Sequence, residues 1–508
     1  MGIEQNRALR PGRSDLPKHR RNRLACFQLA HVNARTGHAR RQSILQRRDQ
    51  MRGVVFVFHL QNDLRVIELL EFRRNRRPET RPTSADKRRQ RFQHFARFAV
   101  VAFAWLFFSL FGSLPYLLTG SIPGFTDAFF ETVSGFTTTG ATILGDIEAL
   151  PRGILFWRSM TQWMGGMGII VFTLAVLPVL GVGGMRLYKA EVSGPTPDKL
   201  RPRVAETARL LWAVYLLFTV LLFVLLLLGR MDVFDAICHT LTTVASGGFS
   251  TKNLSIGYFH STYIDVVITI FMALAGTNYA LHYHFLTGRR DTYWKDREFQ
   301  VYVAIMAAAV GAIALTTLPL YANWLKGLRD IVFTVVSLQT STGFAVANYE
   351  KWSQSAQWVL LLVMIIGGSA GSTAGGLKVV RIYLVAKYIA KDFTRLLHPQ
   401  AVVPVRLGGV PVPRDIMSNV LSYFALYGLA IFAGTLIVTF FGMDWVSGLS
   451  AVVTMLSNVG PGMNGVGPYD HYGNLHAVVK WVLILCMLLG RLEFYTILVL
   501  FAPAYWRK

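Results

Sequence analysis

Between pairs of long apolar runs the chain carries four shorter, less apolar stretches, at 125–142, 232–250, 327–345 and 444–462, each closing on a glycine. The glycines are Gly140 in TTTGAT, Gly248 in ASGGFS, Gly343 in TSTGFA and Gly460 in SNVGPG, with offsets of 108, 203 and 320 from the first. Such unequal gaps exclude a short solenoid repeat and fit diverged units of roughly 100 residues. Laid over one another by these offsets, Asp127 falls on Asp235, Asp330 and Ser447, all helix-capping types. Ser134 falls on Thr242, Ser337 and Thr454; Thr137 on Ala245, Thr340 and Ser457; Thr138 on Ser246, Ser341 and Asn458. Each copy therefore reads as a cap, a short helix, and a run of small or hydroxyl residues before glycine.

The flanking runs place these copies in a membrane. A spanning helix needs about 20 mostly apolar residues. Candidates lie at 97–119, 152–180, 206–229, 262–287, 298–321, 356–390 (interrupted), 413–441 and 474–503. The four stretches between alternate pairs are too short to cross and return as helices, so each reads as a half-helix that dips in and comes back as a loop. Backbone of that kind is tolerated at membrane depth only in protein or beside a wet cavity. Arg and Lys set the orientation. They crowd 184–209, 288–297 and 377–414, whereas the re-entrant sides hold Arg152, Arg230, Lys252, Lys326, Arg329 and Lys351 over four loops. The dense segments, and with them the C-terminus, are expected in the cytoplasm.

A cap at the outer end starts a short helix whose C-terminus points to the membrane centre. About half a negative charge gathers there, which favours a cation. The loop that follows must offer backbone carbonyls in place of a dehydrated ion's water, as potassium filters do. Glycine reaches φ > 0 and can turn carbonyls to an axis without a Cβ clash. Four copies round one axis give rings of oxygen without a carboxylate. For any single loop, glycine capping and hydroxyls bonded to their own backbone explain as much; four aligned copies in the same place between spans favour the filter.

The charge is uneven. Residues 1–97 hold 24 Lys and Arg against 8 Asp and Glu, or +16 of the chain's +24. A basic arm tethered to a membrane bundle points to anionic lipid rather than nucleic acid. Residues 1–90 have Arg far in excess of Lys, no apolar run near spanning length and no clear period, so an irregular extension, or translation from a wrong start, is the blander and favoured reading. No signal-peptide core is visible. Cys26, Cys238 and Cys486 are scattered, which fits neither a metal site nor a disulfide framework.

These features resemble the TrkH/KtrB/HKT superfamily of potassium transporters, above all its bacterial TrkH branch, over about residues 98–508. The resemblance rests on TVSGFTTTGAT (132–142), SMTQWMGGMGIIVF (159–172), SGPTPDKLRPRVAET (193–207), ASGGFST (245–251), TSTGF (340–344), GGSAGSTAGGLKVVR (367–381), NVGPG (458–462) and LLGRLEFYTILVLF (488–501). It implies an all-α integral membrane fold of four pseudo-symmetric M1–pore helix–M2 repeats around one central pore. Expected divisions are an Arg-rich extension at 1–96 and repeats at 97–183, 184–290, 291–397 and 398–508. It implies potassium uptake across the cytoplasmic (inner) membrane, with potassium held mainly by backbone carbonyls of Thr138, Thr139, Gly140, Ser246, Gly247, Gly248, Ser341, Thr342, Gly343, Asn458, Val459 and Gly460. Glycine rather than serine at 140 argues for potassium over sodium; a sodium or mixed pathway is the alternative. The TrkH branch typically begins with two further spans, for which this sequence shows no recognisable counterpart. A homodimer and a peripheral cytoplasmic nucleotide-binding subunit of the TrkA type are implied as partners; no nucleotide motif is visible in this chain. Pure conduction and symport with protons stay equally open.

Residues 367–376, Gly-Gly-Ser-Ala-Gly-Ser-Thr-Ala-Gly-Gly, interrupt the sixth span. Each of five glycines costs a helix about 1 kcal/mol relative to alanine, so the helix is expected to break where it lines a watery path. The resemblance makes this an intramembrane gate, with Gly367, Gly368, Gly371, Gly375, Gly376 and Lys378, under the third filter loop. Tight helix packing through small residues is the rival reading; a phosphate cradle lacks its GK[ST] ending. Arg491 stands among leucines in the last span, where a charge costs about 2.5–3.5 kcal/mol. It is expected to pair with Glu493 or a pore hydroxyl, and the resemblance places it in the cavity below the filter. Arg158 is expected near the outer interface, snorkelling to water. His239 reads as a satisfied buried group, and His282 and His284 as interfacial. No convergent acids, metal triad or nucleophile with its base appears, which argues against an enzyme; a polytopic scaffold would not require four aligned loops.

Overall fold

The computed structural model describes residues 99, 102–175, 204–501 and 503, all within one unit, Ser84–Lys508. The Arg-rich extension 1–96, the basic stretch 184–203 and Cys26 lie outside the described residues. Within them the chain is helical apart from one small hairpin, Arg406–Leu407 against Val410–Pro411.

The helices repeat four times as outer helix, pore helix and inner helix. The first set is Ala102–Leu118, Phe125–Phe136 and Arg152–Ala175. The second is Val204–Leu228, Val233–Val244, and Thr262–Ala275 with Tyr279–Leu286. The third is Arg297–Thr317, Trp324–Gln339, and Gln354–Ile366 with Val379–Leu397. The fourth is Arg414–Phe440, Trp445–Leu456, and Ala477–Leu492 with Phe494–Phe501. Among the described residues, Ala208–Leu228, Arg297–Leu320 and Arg414–Phe440 are long and apolar enough to cross a membrane unbroken.

The sequence predicts one interrupted span, at 356–390, but three inner helices break. The second bends by 102° between Thr262–Ala275 and Tyr279–Leu286, where Asn278 caps the new helix by accepting from Ala280 N–H. The fourth breaks at Glu493, whose φ is 59°. Neither break carries the glycine run that marks the third. A single polar residue that caps a new turn suffices once surrounding protein takes up the freed backbone groups.

The capping expectation needs a correction. Asp127, Asp235, Asp330 and Ser447 lie inside the pore helices rather than at their N-caps. The caps are Gly124, Asp232, Asn323 and Asp444, of which the last three accept from backbone N–H groups of the first turn. Asp330 pairs with neighbouring Arg329, and the other three tie pore helices to later segments. Asp127 takes Lys480 Nζ at 2.5 Å, Asp235 takes Thr251 Oγ1 at 2.7 Å, and Ser447 takes Gly465 N–H at 3.0 Å. Alignment finds equivalent positions; a cap additionally needs its oxygen within reach of the orphan N–H groups.

Packing is cyclic. The first pore helix packs on the inner helix of the fourth repeat, the second on that of the first, the third on that of the second and the fourth on that of the third. Two inner helices approach their own pore helices where only a hydrogen fits. A Cβ on Gly165 would fall on the carbonyl oxygen of Phe136, and one on Gly490 on that of Leu456. Phe136 and Leu456 are related by the same 320-residue offset as the filter glycines. Alanine at 165 or 490 is expected to destabilise the detergent-solubilised protein by about 1–3 kcal/mol, the usual cost of overpacking. Gly311→Ala, in open space on an outer helix, is expected to leave the thermal midpoint unchanged or raise it; equal effects at all three sites would refute the close-approach account.

Candidate functional site

The four loops share one backbone path. Thr138, Ser246, Ser341 and Asn458 take φ of 53°, 54°, 52° and 52°, and Gly140, Gly248, Gly343 and Gly460 take 82°, 77°, 81° and 97°. Left-handed backbone is uncommon outside glycine and strains a β-branched residue such as Thr138 most. Each pore helix ends in the same six-residue closure. Thr139 N–H bonds Ser134 O at 2.9 Å, Gly247 bonds Thr242 at 2.8 Å, Thr342 bonds Ser337 at 2.8 Å, and Val459 bonds Thr454 at 2.9 Å. This is the Schellman pattern, with a left-handed residue just past the helix. The aligned hydroxyls and Asn458 gave no sequence warning that the position two before each glycine is also left-handed.

The glycines bring the loops into contact in ring order. A Cβ on Gly140 would fall on Gly247 O, on Gly248 on Thr342 O, on Gly343 on Val459 O, and on Gly460 on Thr139 O. The cycle one, two, three, four, one closes, so all twelve sequence-predicted positions stand together round a common axis. No acidic side chain occupies any of them. Thr137 and Thr139 pair their hydroxyls at 2.8 Å, as do Thr340 and Thr342, and Ser457 pairs with Tyr427 at 2.7 Å. Asn458 donates to Thr139 Oγ1 and Met487 O, both at 3.0 Å.

A cleft reaches Gly140, Gly248 and Gly343 past Lys252, Asp470 and Tyr472. Tyr472 O–H donates to Gly460 O at 2.8 Å. Asn253 donates to Asp146 at 2.9 Å, and this hydrogen bond holds the Asp146 carboxyl below the usual carboxylate range.

Directly inside the ring lies the glycine-rich segment. Gly367, Gly371, Gly376 and Lys378 have φ of 73°, 74°, 79° and 73°, so the helix is broken as its composition predicts. The segment reaches further than the third loop alone. Thr373 Oγ1 lies 2.7 Å from Ser246 Oγ, Gly375 N–H donates to Ser341 Oγ at 2.5 Å, and a Cβ on Gly375 would fall on Ser457 O. Ser369 N–H bonds Gly276 O at 2.9 Å, a Cβ on Gly368 would fall 2.6 Å from the Ala374 methyl, and Lys378 Nζ folds back onto Ala374 O. Small residues pack it tightly, as the helix-packing reading expects, against the ends of the second, third and fourth pore helices.

Arg491 grips this segment. It is 5% exposed and donates to Thr373 O at 2.8 Å and Gly165 O at 3.2 Å. Its expected partner Glu493 is engaged elsewhere, bonded to Arg381 at 2.6 and 2.7 Å. The helix break at Glu493 turns that carboxylate away from Arg491, which backbone carbonyls satisfy instead.

Two other expectations change. Arg158 does not snorkel; it is 1% exposed and paired with Glu131. His282 is buried rather than interfacial, bonded to Tyr293 Oη at 2.6 Å and Leu274 O at 2.9 Å. His239 is satisfied as predicted, by Asp235 O and Ser250 Oγ. Cys238 and Cys486 are buried free thiols. No cluster of His, Cys, Asp or Glu among the described residues could hold a metal ion.

Residues 78–508 match the TrkH family, described as a cation transport protein. The chain is 44% identical to the Trk system potassium uptake protein TrkH of Escherichia coli strain K12 over 417 residues, 81% of this chain and 86% of that protein. It is 43% identical to the protein of the same name from Halomonas elongata over 418 residues, again 81% and 86%. Its structure is similar to the crystal structure of the potassium transporter TrkH from Vibrio parahaemolyticus, with a TM-score of 0.73 at 38% identity, covering 86% of this chain and 89% of that one.

Arg491→Gln removes the donors to two buried carbonyls, at about 1–3 kcal/mol for each group left unpaired. Hydrogen exchange across 367–376 is then expected to accelerate while the pore helices keep their protection. Unchanged exchange there would show that Arg491 does not restrain the segment.

Proposed function

The chain belongs to the TrkH family of cation transport proteins, and from that footing we propose that it takes up potassium across the cytoplasmic membrane through a filter of backbone carbonyls. It is a transporter rather than an enzyme, and a multi-pass membrane protein. The observation that carries the filter reading is the closed ring of four loops with matching left-handed residue and glycine. A ring of fixed carbonyl dipoles replaces a monovalent ion's water without binding it as tightly as a carboxylate would. The pore helices' C-terminal ends add partial negative charge beneath it.

The segment 367–376 acts as the gate in this reading, and Arg491 holds it shut while its charge lowers cation occupancy below the filter. Support comes from its bonds to Ser246 and Ser341 and from its position across the path. The four repeats divide near residues 183, 290 and 397. The basic ends face the cytoplasm, where a TrkA-type nucleotide-binding subunit would meet a homodimer. A sodium or mixed pathway is the second reading; Gly140, where sodium-preferring relatives of this fold often carry serine, favours potassium.

Expression in cells lacking potassium uptake is expected to restore growth at low potassium, with a reversal potential that follows potassium rather than sodium. Gly140→Ser is expected to weaken that discrimination, because a Cβ there strikes the second loop. Equal permeability to both ions in the unaltered chain would overturn the potassium reading. Removing the regulatory subunit is expected to change flux and leave the reversal potential alone; flux indifferent to the subunit would reject that partnership.

A further inference from the structure

Behind the first two loops lies a charged network that the ion pathway does not use. Glu131, on the first pore helix, and Arg158, on the first inner helix, pair at 2.8 Å with side chains 0% and 1% exposed. Both Glu131 oxygens accept from Thr142 Oγ1, at 3.0 and 3.1 Å, and one also accepts Ile143 N–H at 2.9 Å. Arg158 Nη1 crosses to the second loop and donates to Ser250 O at 3.1 Å, and Nη2 donates to Thr142 Oγ1 at 3.3 Å. Its guanidinium lies 4.1 Å from the Phe249 ring centre. One turn further along the helix, Gln162 donates to Gly247 O at 2.6 Å and accepts Phe249 N–H at 3.1 Å.

We propose that Glu131, Arg158 and Gln162 form a buried positioning brace that locks the first two filter loops in register and thereby sets how sharply the pore separates potassium from sodium. This rests on the filter reading above.

Three observations carry it. First, every partner lies within three residues of Gly140 or Gly248, so the network holds the filter's own backbone rather than the bundle at large. Second, Gly247 O is the atom against which Gly140 closes the ring; a shift of the second loop opens the seam between repeats one and two. Third, the brace is local to this half of the ring. At the positions aligned with Glu131, the third and fourth repeats carry Thr334 and Ala451. There hydroxyls hold the outer strands instead, with Ser337 donating to Phe344 O at 2.7 Å and Ser450 accepting Met463 N–H at 3.0 Å. A buried ion pair is a poor source of net stability, but displacing either partner is costly because it leaves an uncompensated buried charge. The planar guanidinium bonds Glu131, Thr142 and Ser250 at once, which an ammonium cannot copy.

The test measures permeability ratio and thermal midpoint on the full-length protein in liposomes, for Glu131→Gln, Arg158→Lys and Thr142→Val. Thr142→Val keeps the direct ion pair and the fold should tolerate it, so it stands in wherever a charge variant does not fold. Expected is a fall in potassium-over-sodium permeability of about threefold or more in the charge variants, and a smaller fall in Thr142→Val. Adding Thr142→Val to Glu131→Gln should lower the ratio no further, because both act through one network. Ratios unchanged in folded variants, with only the thermal midpoint reduced, would make the network merely structural and overturn the proposal while leaving the filter standing. An unaltered chain that does not discriminate would defeat the potassium reading, and the brace with it.

Discussion

The architecture depends on four missing Cβ atoms. Each filter glycine abuts a carbonyl of the next loop, and a methyl at any of them would strike backbone that has no room to yield. The ring can therefore close only at a diameter set by main chain on main chain. That contact forces the left-handed turn two residues earlier, since the chain must leave the pore helix and rise along the axis within a few residues. It also fixes the pore helices, each wedged against the preceding repeat's inner helix. Side-chain packing then supports a geometry that the backbone has already dictated.

Much of this was legible in the residues. The offsets of Gly140, Gly248, Gly343 and Gly460 found the equivalent loops, and the apolar runs found the helices around them. Glycine content found the break at 367–376, because propensity alone disfavours helix there. Alignment reports equivalence, not reach, so it points to Asp235 and Ser447 where Asp232 and Asp444 cap the helices. The bend after Ala275 does leave a short trace, Gly276 at the helix end and Asn278 capping the next turn, but a lone glycine and asparagine are a far weaker signal than five glycines in ten residues; Glu493 leaves none. The sequence puts Arg158 near an interface, snorkelling, because a lone position in a span does not say which way its side chain faces. Its partner Glu131 is 27 residues away and shares no motif with it.

Three buried arginines meet two fates within the apolar bundle. Arg158 faces a carboxylate and becomes part of the scaffold. Arg381 does likewise with Glu493, beneath Tyr423. Arg491 has main-chain oxygens alone among its bonded partners, and its Nε finds none. Carbonyl dipoles leave its full positive charge without a neutralising carboxylate, unlike the other two. Position in the bundle matters less here than what answers the charge.

The four quarters of the ring are covalently one molecule, and the brace behind the first two loops is absent from the others. A ring of identical subunits would have to repeat any such device four times or do without it. A tandem chain escapes that rule: one quadrant can be stiffened while its neighbour stays compliant, and a substitution alters a single wall. Rigidity and compliance can thus be assigned to different walls of one ring and tuned by separate mutational histories.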